Sequence, residues 1–348
     1  MSIKIRTIAV TGERKTEILN LETPDLMNGE VLVKVHAVAL CTLEQRIFRR
    51  EVKMPLPCTG GHEVSGEIAA LGPGVNTKRW STGQRVSVRL LYNCGECYYC
   101  RTGRTNLCEQ GQRKPIREGL LPGPGGLCDY VIVKSQDLYP VADGISYEEA
   151  SLTEPLACCV HSVQKADLKF ADTVVVIGGG IMGINHVMLC KKRGCRVIMS
   201  EVDSARRELA ARLGADITFN PLEKDPVEYV KELTEGRGAD CVFNTTAIPS
   251  VVPQAIAMTG KVGKMIQYSS MHPDAPVEVS PQMLHSSETV ITGSVSPSAT
   301  DFYTASRLIN YGIIDMKPVI FGTFAFEDAQ SAFEQSIKPG TFRCIITD

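Results

Sequence analysis

The feature that constrains this fold most is a glycine motif that directly follows an apolar, strand-like run. Residues 173–177 read Thr-Val-Val-Val-Ile, and residues 178–183 read Gly-Gly-Gly-Ile-Met-Gly, which matches G-x-G-x-x-G. In this pattern the first glycine permits a tight turn, the second lets the backbone approach a pyrophosphate, and the third lets a helix pack closely on a strand. The phosphates lie at the positive end of that helix. We therefore predict a dinucleotide site at Gly178, Gly180, Ile181, Met182 and Gly183.

The chain around this motif alternates between helical and strand patterns. After an entry helix at 147–165, helices are predicted at 181–193, 204–213, 226–234 and 251–259, and strands at 196–200, 216–219, 239–244, 262–268 and 289–293. Strands that alternate with helices of about ten residues form βαβ units around a parallel sheet. Residues 149–295 are therefore predicted to form a dinucleotide-binding domain with a doubly wound parallel sheet.

The rest of the chain has a β-rich texture. Short alternating runs bounded by glycine and proline occur at 31–38, 63–70, 85–90 and 129–133, and such runs indicate an all-β, barrel-like unit. After a predicted helix at 299–311, apolar runs at 319–326 and 342–347 are expected to return to this unit. A chain of 348 residues also exceeds what one core usually holds. The fold class is thus α/β, with a β-barrel domain formed by 1–148 and 296–348.

Composition excludes two classes of partner. The formal net charge is −2, whereas proteins that bind nucleic acids or membrane surfaces normally carry a basic excess. The N-terminal region has no apolar core of signal-peptide length, and the most apolar stretch, 174–190, is interrupted by Asn185 and His186. We expect a cytoplasmic protein that acts on a small molecule. In that reducing compartment, clusters among the 13 cysteines indicate metal ligands rather than disulfides.

Glu201 extends the predicted dinucleotide site. It ends the second predicted strand of the parallel sheet, eighteen residues after Gly183. A carboxylate at this point accepts hydrogen bonds from the adenosine ribose and repels a 2′-phosphate. The alternative is that Glu201 only caps the following helix. Arg206 and Arg207 lie close by and would moderate the repulsion, but NAD is expected rather than NADP.

Four cysteines form a local cluster with the spacing C-x2-C-x2-C-x7-C, namely Cys94, Cys97, Cys100 and Cys108. Four thiolates within such a short segment suit a tetrahedral zinc site with no open position, which is a structural site. An iron–sulfur cluster is typically held by C-x2-C-x2-C-x3-C-P, whereas Glu109 follows the last cysteine here. The spacing therefore predicts structural zinc.

A second set of ligands is spread along the chain. Cys41 lies in a predicted loop, His62 and Glu63 lie in a glycine-rich strand entry, and Glu154 begins the helix before the nucleotide domain. One thiolate, one imidazole and a carboxylate form a suitable shell for a catalytic zinc that leaves a position for substrate. Each residue also has a simpler explanation: a core thiol, a structural His–Glu pair, and a carboxylate that complements a helix N-terminus.

Taken together, the motifs resemble a known family. Gly61-His62-Glu63-x-x-Gly66-Glu67, the four-cysteine lobe, Glu154-Pro155-Leu156-Ala157-Cys158 and the glycine motif occur in one order along nearly the whole chain. They resemble the zinc-dependent medium-chain dehydrogenase/reductase superfamily, in its sorbitol, threonine and polyol dehydrogenase branch. The resemblance implies a GroES-like catalytic domain, a Rossmann domain, and a homo-dimer or homo-tetramer. It also implies two zinc ions per subunit, the catalytic one held by Cys41, His62 and Glu63 or water, with Glu154 as a fourth or exchangeable ligand.

The sequence departs from that family next to Cys41. Family members usually carry Ser or Thr two residues after this cysteine, and the hydroxyl relays a proton towards a histidine three positions further on. Leu43 and Arg46 occupy these positions, and Glu44 replaces the usual aspartate. Leucine cannot relay a proton, so Thr42, Glu44 or a water takes this role, or Glu154 serves as the base. Arg46 is expected to contact the cofactor or an anionic substrate.

The expected reaction is hydride transfer between NAD and a secondary alcohol, such as a polyol, a sugar alcohol or a related hydroxy compound. Two alternatives remain open at this point. The missing relay at Leu43 is compatible with a redox-neutral epimerase or lyase of the same fold that uses tightly held NAD. A non-enzymatic zinc- or dinucleotide-binding protein is the other alternative, and the complete set of catalytic ligands argues against it.

Overall fold

The computed structural model describes residues 3–111 and 116–348. The chain divides into two compact units, one formed by Met1–Ala157 with Pro297–Asp348 and the other by Cys158–Ser296. The sequence analysis placed the first boundary earlier, after residue 148, whereas the structure divides the chain within a helix. Among the described residues, no helix combines the length and apolar character that crossing a membrane requires.

The regular elements are numbered in chain order. The strands are β1 (Lys4–Gly12), β2 (Lys15–Glu22), β3 (Glu30–Ala39), β4 (Glu63–Leu71), β5 (Arg85–Arg89), β6 (Tyr130–Lys134), β7 (Leu138–Pro140), β8 (Thr173–Ile177), β9 (Arg196–Ser200), β10 (Ile217–Phe219), β11 (Ala239–Asn244), β12 (Thr259–Gln267), β13 (Val290–Gly293), β14 (Ile320–Ala325) and β15 (Arg343–Thr347). The helices are α1 (Thr42–Phe48), α2 (Tyr98–Arg101), α3 (Tyr147–Ser151), α4 (Thr153–Ala166), α5 (Ile181–Lys192), α6 (Ser204–Arg212), α7 (Pro226–Leu233), α8 (Val251–Met258), α9 (Pro281–Ser287), α10 (Ala299–Asn310) and α11 (Ala329–Ser336).

The first unit is built around a seven-stranded sheet in the order β14-β15-β3-β4-β5-β7, with β6 also paired to β3. Strand β3 is central and most of its residues are buried; one face is apolar, whereas Lys34 and His36 lie on the other. Strand β15 pairs antiparallel with the end of β3, where Ile345 lies opposite Ala39. The last strand of the chain therefore lies in the same sheet as β3 and β4. The β1–β2 hairpin, which the sequence analysis did not predict, forms a separate two-stranded sheet.

The second unit contains a six-stranded sheet in the order β10-β9-β8-β11-β12-β13. Every adjacent pair is parallel. This is the 3-2-1-4-5-6 order of a dinucleotide-binding fold, in which ligands bind outside the carboxyl ends of the central strands. Strand β8 is fully buried, and its last residue, Ile177, lies beside Ser200 and Asn244 of the flanking strands. The predicted Rossmann architecture is therefore confirmed.

The single entry helix predicted at 147–165 is wrong, because the structure contains two helices there. Ser146 and Glu149 form a reciprocal capping box that begins α3, and α3 ends at Ser151, with Leu152 as its C-cap. Proline lacks a backbone N–H and is tolerated in the first turn of a helix, so Pro155 fits the start of a new helix better than the middle of a long one. The break places Glu154 in the first turn of α4.

Candidate metal centres and dinucleotide loop

The first candidate centre lies where β3 ends and β4 begins. Cys41 is the N-cap of α1, immediately after β3, and Glu63 opens β4 directly opposite Ala39. This neighbouring register brings Cys41, His62 and Glu63 together, with their ligand atoms within 4.8 Å of one another. The sequence-predicted thiolate, imidazole and carboxylate are thus assembled around one point, although they come from separate segments. The donor set fits zinc.

Glu44 holds Cys41 and His62 in place through its carboxylate. Its Oε2 accepts the Cys41 backbone N–H at 3.1 Å, and its Oε1 accepts the Gly61 N–H at 2.9 Å and faces His62 Nδ1 at 3.0 Å. Burial raises the pKa of Glu44, but the charge and hydrogen bond of His62 outweigh this and lower it. Burial likewise lowers the pKa of His62, and Glu44 and Cys41 reverse that effect and raise it well above its usual value. The carboxylate is therefore held by three partners.

Arg343 is a member of this cluster that the sequence analysis missed. Its Nε and Nη2 donate to the two carboxylate oxygens of Glu63 at 2.9 Å and 2.7 Å, and both side chains are buried. Burial disfavours the charged guanidinium, but Glu63, Cys41 and Glu154 raise the pKa of Arg343 above its ordinary value. Arg343 opens β15 within an otherwise apolar run, and a lone arginine in such a run was the available signal. Glu63 is therefore already engaged by a cation.

Glu154 is buried in the first turn of α4, and it acts electrostatically on Arg343. The junction between α3 and α4, just before Glu154, is held to β5. Ser87 Oγ donates to the Ala150 carbonyl at 3.0 Å and lies 3.0 Å from Thr153 Oγ1. The carboxylate of Glu154 is not part of the group of ligand atoms that lie within 4.8 Å of one another. Glu154 therefore lies close enough to Arg343 to act on its charge, but it is not one of the three residues whose ligand atoms converge.

The residues that depart from the family pattern lie on α1. Leu43 packs against a small apolar cluster of Val10, Ile47 and Cys58, so its position contributes to packing. Thr42 is exposed at the first position of the helix. Arg46 is partly buried, with its Nε 3.7 Å from Glu51 Oε2. Its contact with a cofactor or an anionic substrate stays a prediction.

The second candidate centre is the four-cysteine lobe. Cys94 Sγ lies 3.6 Å from Cys108 Sγ and 4.0 Å from Cys100 Sγ, and all four sulfurs are within 4.8 Å of one another. Tetrahedral zinc with Zn–S bonds of about 2.3 Å separates its sulfurs by about 3.8 Å. Backbone hydrogen bonds from Cys100 and Glu109 lower the pKa of Cys97 to about 6, which favours the thiolate that binds metal. Desolvation raises the pKa of Cys100 to about 12, in the opposite direction.

The dinucleotide loop connects β8 to α5, and its three motif glycines serve different needs. Gly178 has a φ of +96°, which non-glycine residues rarely adopt. A Cβ at Gly183 would lie 1.7 Å from the Gly178 carbonyl oxygen, so the helix packs directly on the loop. A Cβ at Gly180 would meet no atom of the described residues within 4 Å. Because packing does not require glycine at Gly180, this open cradle fits a pyrophosphate at the N-terminus of α5.

Glu201 lies directly beside this loop. Its Oε2 accepts the Gly179 N–H, and its Oε1 accepts the Asp203 N–H at 2.8 Å. The cap of α6 is Asp203, which accepts the Arg206 N–H at 2.9 Å. Capping this helix therefore does not explain Glu201, whose carboxylate is fixed at the edge of the glycine loop. A Cβ at Gly179 would come within 3.2 Å of Arg206 Cβ, so Arg206 is also close to the loop.

Comparison with known proteins identifies the family of this chain. Residues 27–143 match the alcohol dehydrogenase GroES-like domain family, and residues 182–311 match the zinc-binding dehydrogenase family. D-arabitol-phosphate dehydrogenase from Enterococcus avium is 30% identical over 341 residues, which cover 96% of this chain and 94% of that protein. The chain belongs to the zinc-dependent medium-chain dehydrogenase/reductase superfamily. Within the superfamily, this dehydrogenase falls in the polyol dehydrogenase-like branch.

One further relative agrees with this placement, and one solved structure shares the fold. Sorbitol dehydrogenase from Bacillus subtilis is 28% identical, over 96% of this dehydrogenase and 94% of the relative. The structure of L-idonate 5-dehydrogenase from Escherichia coli superposes with a TM-score of 0.88 at 22% identity, covering 100% and 99% of the two chains. The predicted family, fold and reaction class are confirmed: this dehydrogenase is an oxidoreductase that acts on CH–OH groups. The named relatives are all dehydrogenases, and none of them favours the redox-neutral alternative.

Proposed function

We propose that this dehydrogenase oxidises a secondary hydroxyl of a polyol, a sugar alcohol or a sugar-derived acid, with NAD as the hydride acceptor. The observation that carries the proposal is the convergence of Cys41, His62 and Glu63, whose ligand atoms lie within 4.8 Å of one another. The names of the polyol and sugar-acid dehydrogenases among the relatives support the substrate class. The carboxylate of Glu201 at the glycine loop supports NAD over NADP, because it would repel a 2′-phosphate.

We assign the catalytic zinc to Cys41 and His62, with Glu63 or Glu154 completing the shell, and a structural zinc to the four-cysteine lobe. A catalytic zinc lowers the pKa of bound water from 15.7 to about 7, and a similar effect on an alcohol contributes on the order of 10 kcal/mol to its ionisation. Glu44 accepts the Nδ1 proton of His62, which leaves the other ring nitrogen free to act as a ligand. Arg343 neutralises Glu63 and holds its orientation.

The route of the substrate proton differs from the usual one in this superfamily. Leu43 has no hydroxyl, and Glu44 is held by Cys41, Gly61 and His62. Thr42 is exposed at the start of α1, which does not favour it as a relay within a buried site. We assign proton acceptance to Glu154, a buried carboxylate in the electrostatic environment of this cluster, or to water.

The test is an NAD-reduction screen of sugar alcohols, aldonic acids and phosphorylated polyols, combined with zinc analysis. Cys41→Ala is expected to lower kcat by at least about a thousandfold and to reduce zinc from two ions per subunit to one. Cys195→Ala, which removes a buried thiol from the second unit, is the matched control and should retain both properties. Active parent protein with zinc only in the four-cysteine lobe, or full turnover by Cys41→Ala, would contradict the proposed site.

A further inference from the structure

Two adjacent glycines, Gly60 and Gly61, precede His62, and each position requires glycine for a different structural reason. Gly61 has a φ of +86°, a backbone conformation that disfavours other residues. Gly60 does not have a positive φ, but a Cβ built on it would lie 2.7 Å from Glu44 Cγ and 3.2 Å from Glu44 Oε1. A side chain at position 60 is therefore excluded by a steric clash with Glu44 and not by the backbone conformation.

Neither side of this contact is free to move. The Gly60 carbonyl accepts the N–H groups of Gly126 at 3.0 Å and of Leu127 at 3.2 Å, which fixes the backbone at position 60. On the other side, the carboxylate of Glu44 is buried and held at both oxygens by Cys41, Gly61 and His62. A methyl group at Gly60 would meet Glu44 Cγ, a buried methylene next to the carboxylate. It would therefore displace the carboxylate that orients His62.

We propose that Gly60 and Glu44 are a size-coupled pair of positioning residues, in which the missing side chain at position 60 makes room for a glutamate to hold His62. This inference deepens the function proposed above and rests on its catalytic metal site. It accounts for two features of the sequence together: a glutamate three residues after Cys41 and a glycine two residues before His62. Glu44 acts on the metal indirectly, through the proposed ligands Cys41 and His62 that it contacts, and residues that orient a ligand tune metal affinity.

The test is a double-mutant cycle with Gly60→Ala, Glu44→Ala and the double variant in the full-length protein. Zinc affinity is measured by competition with a chelator, and the metal environment by the absorption spectrum of the Co²⁺-substituted protein. Each single change is expected to weaken the catalytic metal site about 10- to 100-fold and to shift the cobalt spectrum. The double variant should be no weaker than Glu44→Ala alone, because alanine at position 44 has no Cγ for the new methyl group to meet.

Gly144→Ala is the matched control, since a Cβ at Gly144 would meet no atom of the described residues within 4 Å. Parent-like metal affinity in Gly60→Ala, or losses that add in the double variant, would overturn the pairing. If Glu44→Ala does not fold, the cobalt spectrum of Gly60→Ala against Gly144→Ala decides, because a merely structural defect lowers Tm without shifting that spectrum. Parent protein that lacks a second zinc ion would instead refute the proposed catalytic site, and the Tm values of the same four variants would then test the steric pairing alone.

Discussion

Arg343 and Glu63 form a two-point ion pair inside the first unit, with Nε–Oε2 and Nη2–Oε1 distances of 2.9 Å and 2.7 Å. The side chain of Glu63 is fully buried, and that of Arg343 is 5% exposed. Arg343 opens β15 and Glu63 opens β4, and both strands pair with β3. One charge pair thus links the start of the strand that follows His62 to the last strand of the chain.

The first prediction concerns this pair. Arg343→Met should lower the free energy of unfolding by about 3–5 kcal/mol, because it leaves the Glu63 carboxylate buried without a counter-charge. Urea denaturation at neutral pH measures the loss. Combining it with Glu63→Leu should recover most of the stability, since an apolar pair carries no uncompensated charge. A single variant within about 1 kcal/mol of the parent would show that the pair is not needed for stability.

The second prediction separates two glycines of the dinucleotide loop. Gly183→Ala should lower the free energy of unfolding by about 3 kcal/mol or more, because its methyl group would overlap the Gly178 carbonyl. Gly180→Ala should change stability by less than about 1 kcal/mol yet weaken NADH binding at least tenfold, because the methyl group would occupy the open cradle. Thermal unfolding and NADH fluorescence titration provide the two measurements. Unchanged NADH affinity in Gly180→Ala would place the pyrophosphate elsewhere.

The third prediction concerns the choice of cofactor. Glu201→Ser should raise KM for NAD and shift the ratio of kcat/KM for NAD over NADP towards NADP by about tenfold or more, because the carboxylate beside the glycine loop is removed. Asp203→Ala is the matched control, since Asp203 caps α6 without contacting the loop glycine. The control should lose about 1 kcal/mol of stability and keep the cofactor ratio. Equal ratios in the parent and Glu201→Ser would contradict the role of Glu201.

The fourth prediction is a pH dependence of stability that arises from His186. Burial lowers the pKa of His186 from 6.5 to about 4, although its hydrogen bond to the Met182 carbonyl opposes this. Below about pH 6.5 the unfolded chain takes up a proton that the folded chain does not. The contribution of His186 is therefore complete above pH 6.5 and is lost as the pH falls towards 4.

Between pH 7.5 and pH 5.0 this loss amounts to about 2 kcal/mol. His186→Gln should therefore show a fall in unfolding free energy that is smaller than the parent's by about that amount, measured by urea denaturation at the two pH values. His285→Gln, at an exposed position on α9, is the control. The same fall in the parent and in His186→Gln would exclude this histidine as a source of the pH dependence.

Local patterns in the sequence predicted most of the second unit. The boundaries of β9 and β11 are those expected from the sequence, because alternating strands and helices are encoded by nearby residues. The four-cysteine lobe was equally predictable, since all its ligands lie in one short segment. The break between α3 and α4 was missed because apolar periodicity continues through Leu152 and Pro155.

The candidate catalytic centre was only partly predictable. Cys41, His62 and Glu63 were identified by residue type, but the partners that orient them depend on contacts made across the sheet. The contact of Arg343 with Glu63 spans nearly the whole chain, and the steric match between Gly60 and Glu44 depends on distances of a few ångströms. Neither contact has a periodic signal in the sequence, and therefore only the folded structure reveals it.

The pairing of β15 with β3 sets an order of assembly during synthesis. Residues 158–296, which form the second unit, leave the ribosome as one uninterrupted segment and can complete their own sheet. The segment that carries Cys41 and His62 is synthesised earlier. Its strand β3 and the Glu63 carboxylate gain their partners β15 and Arg343 only when the end of the chain emerges. The first unit is therefore begun first and finished last.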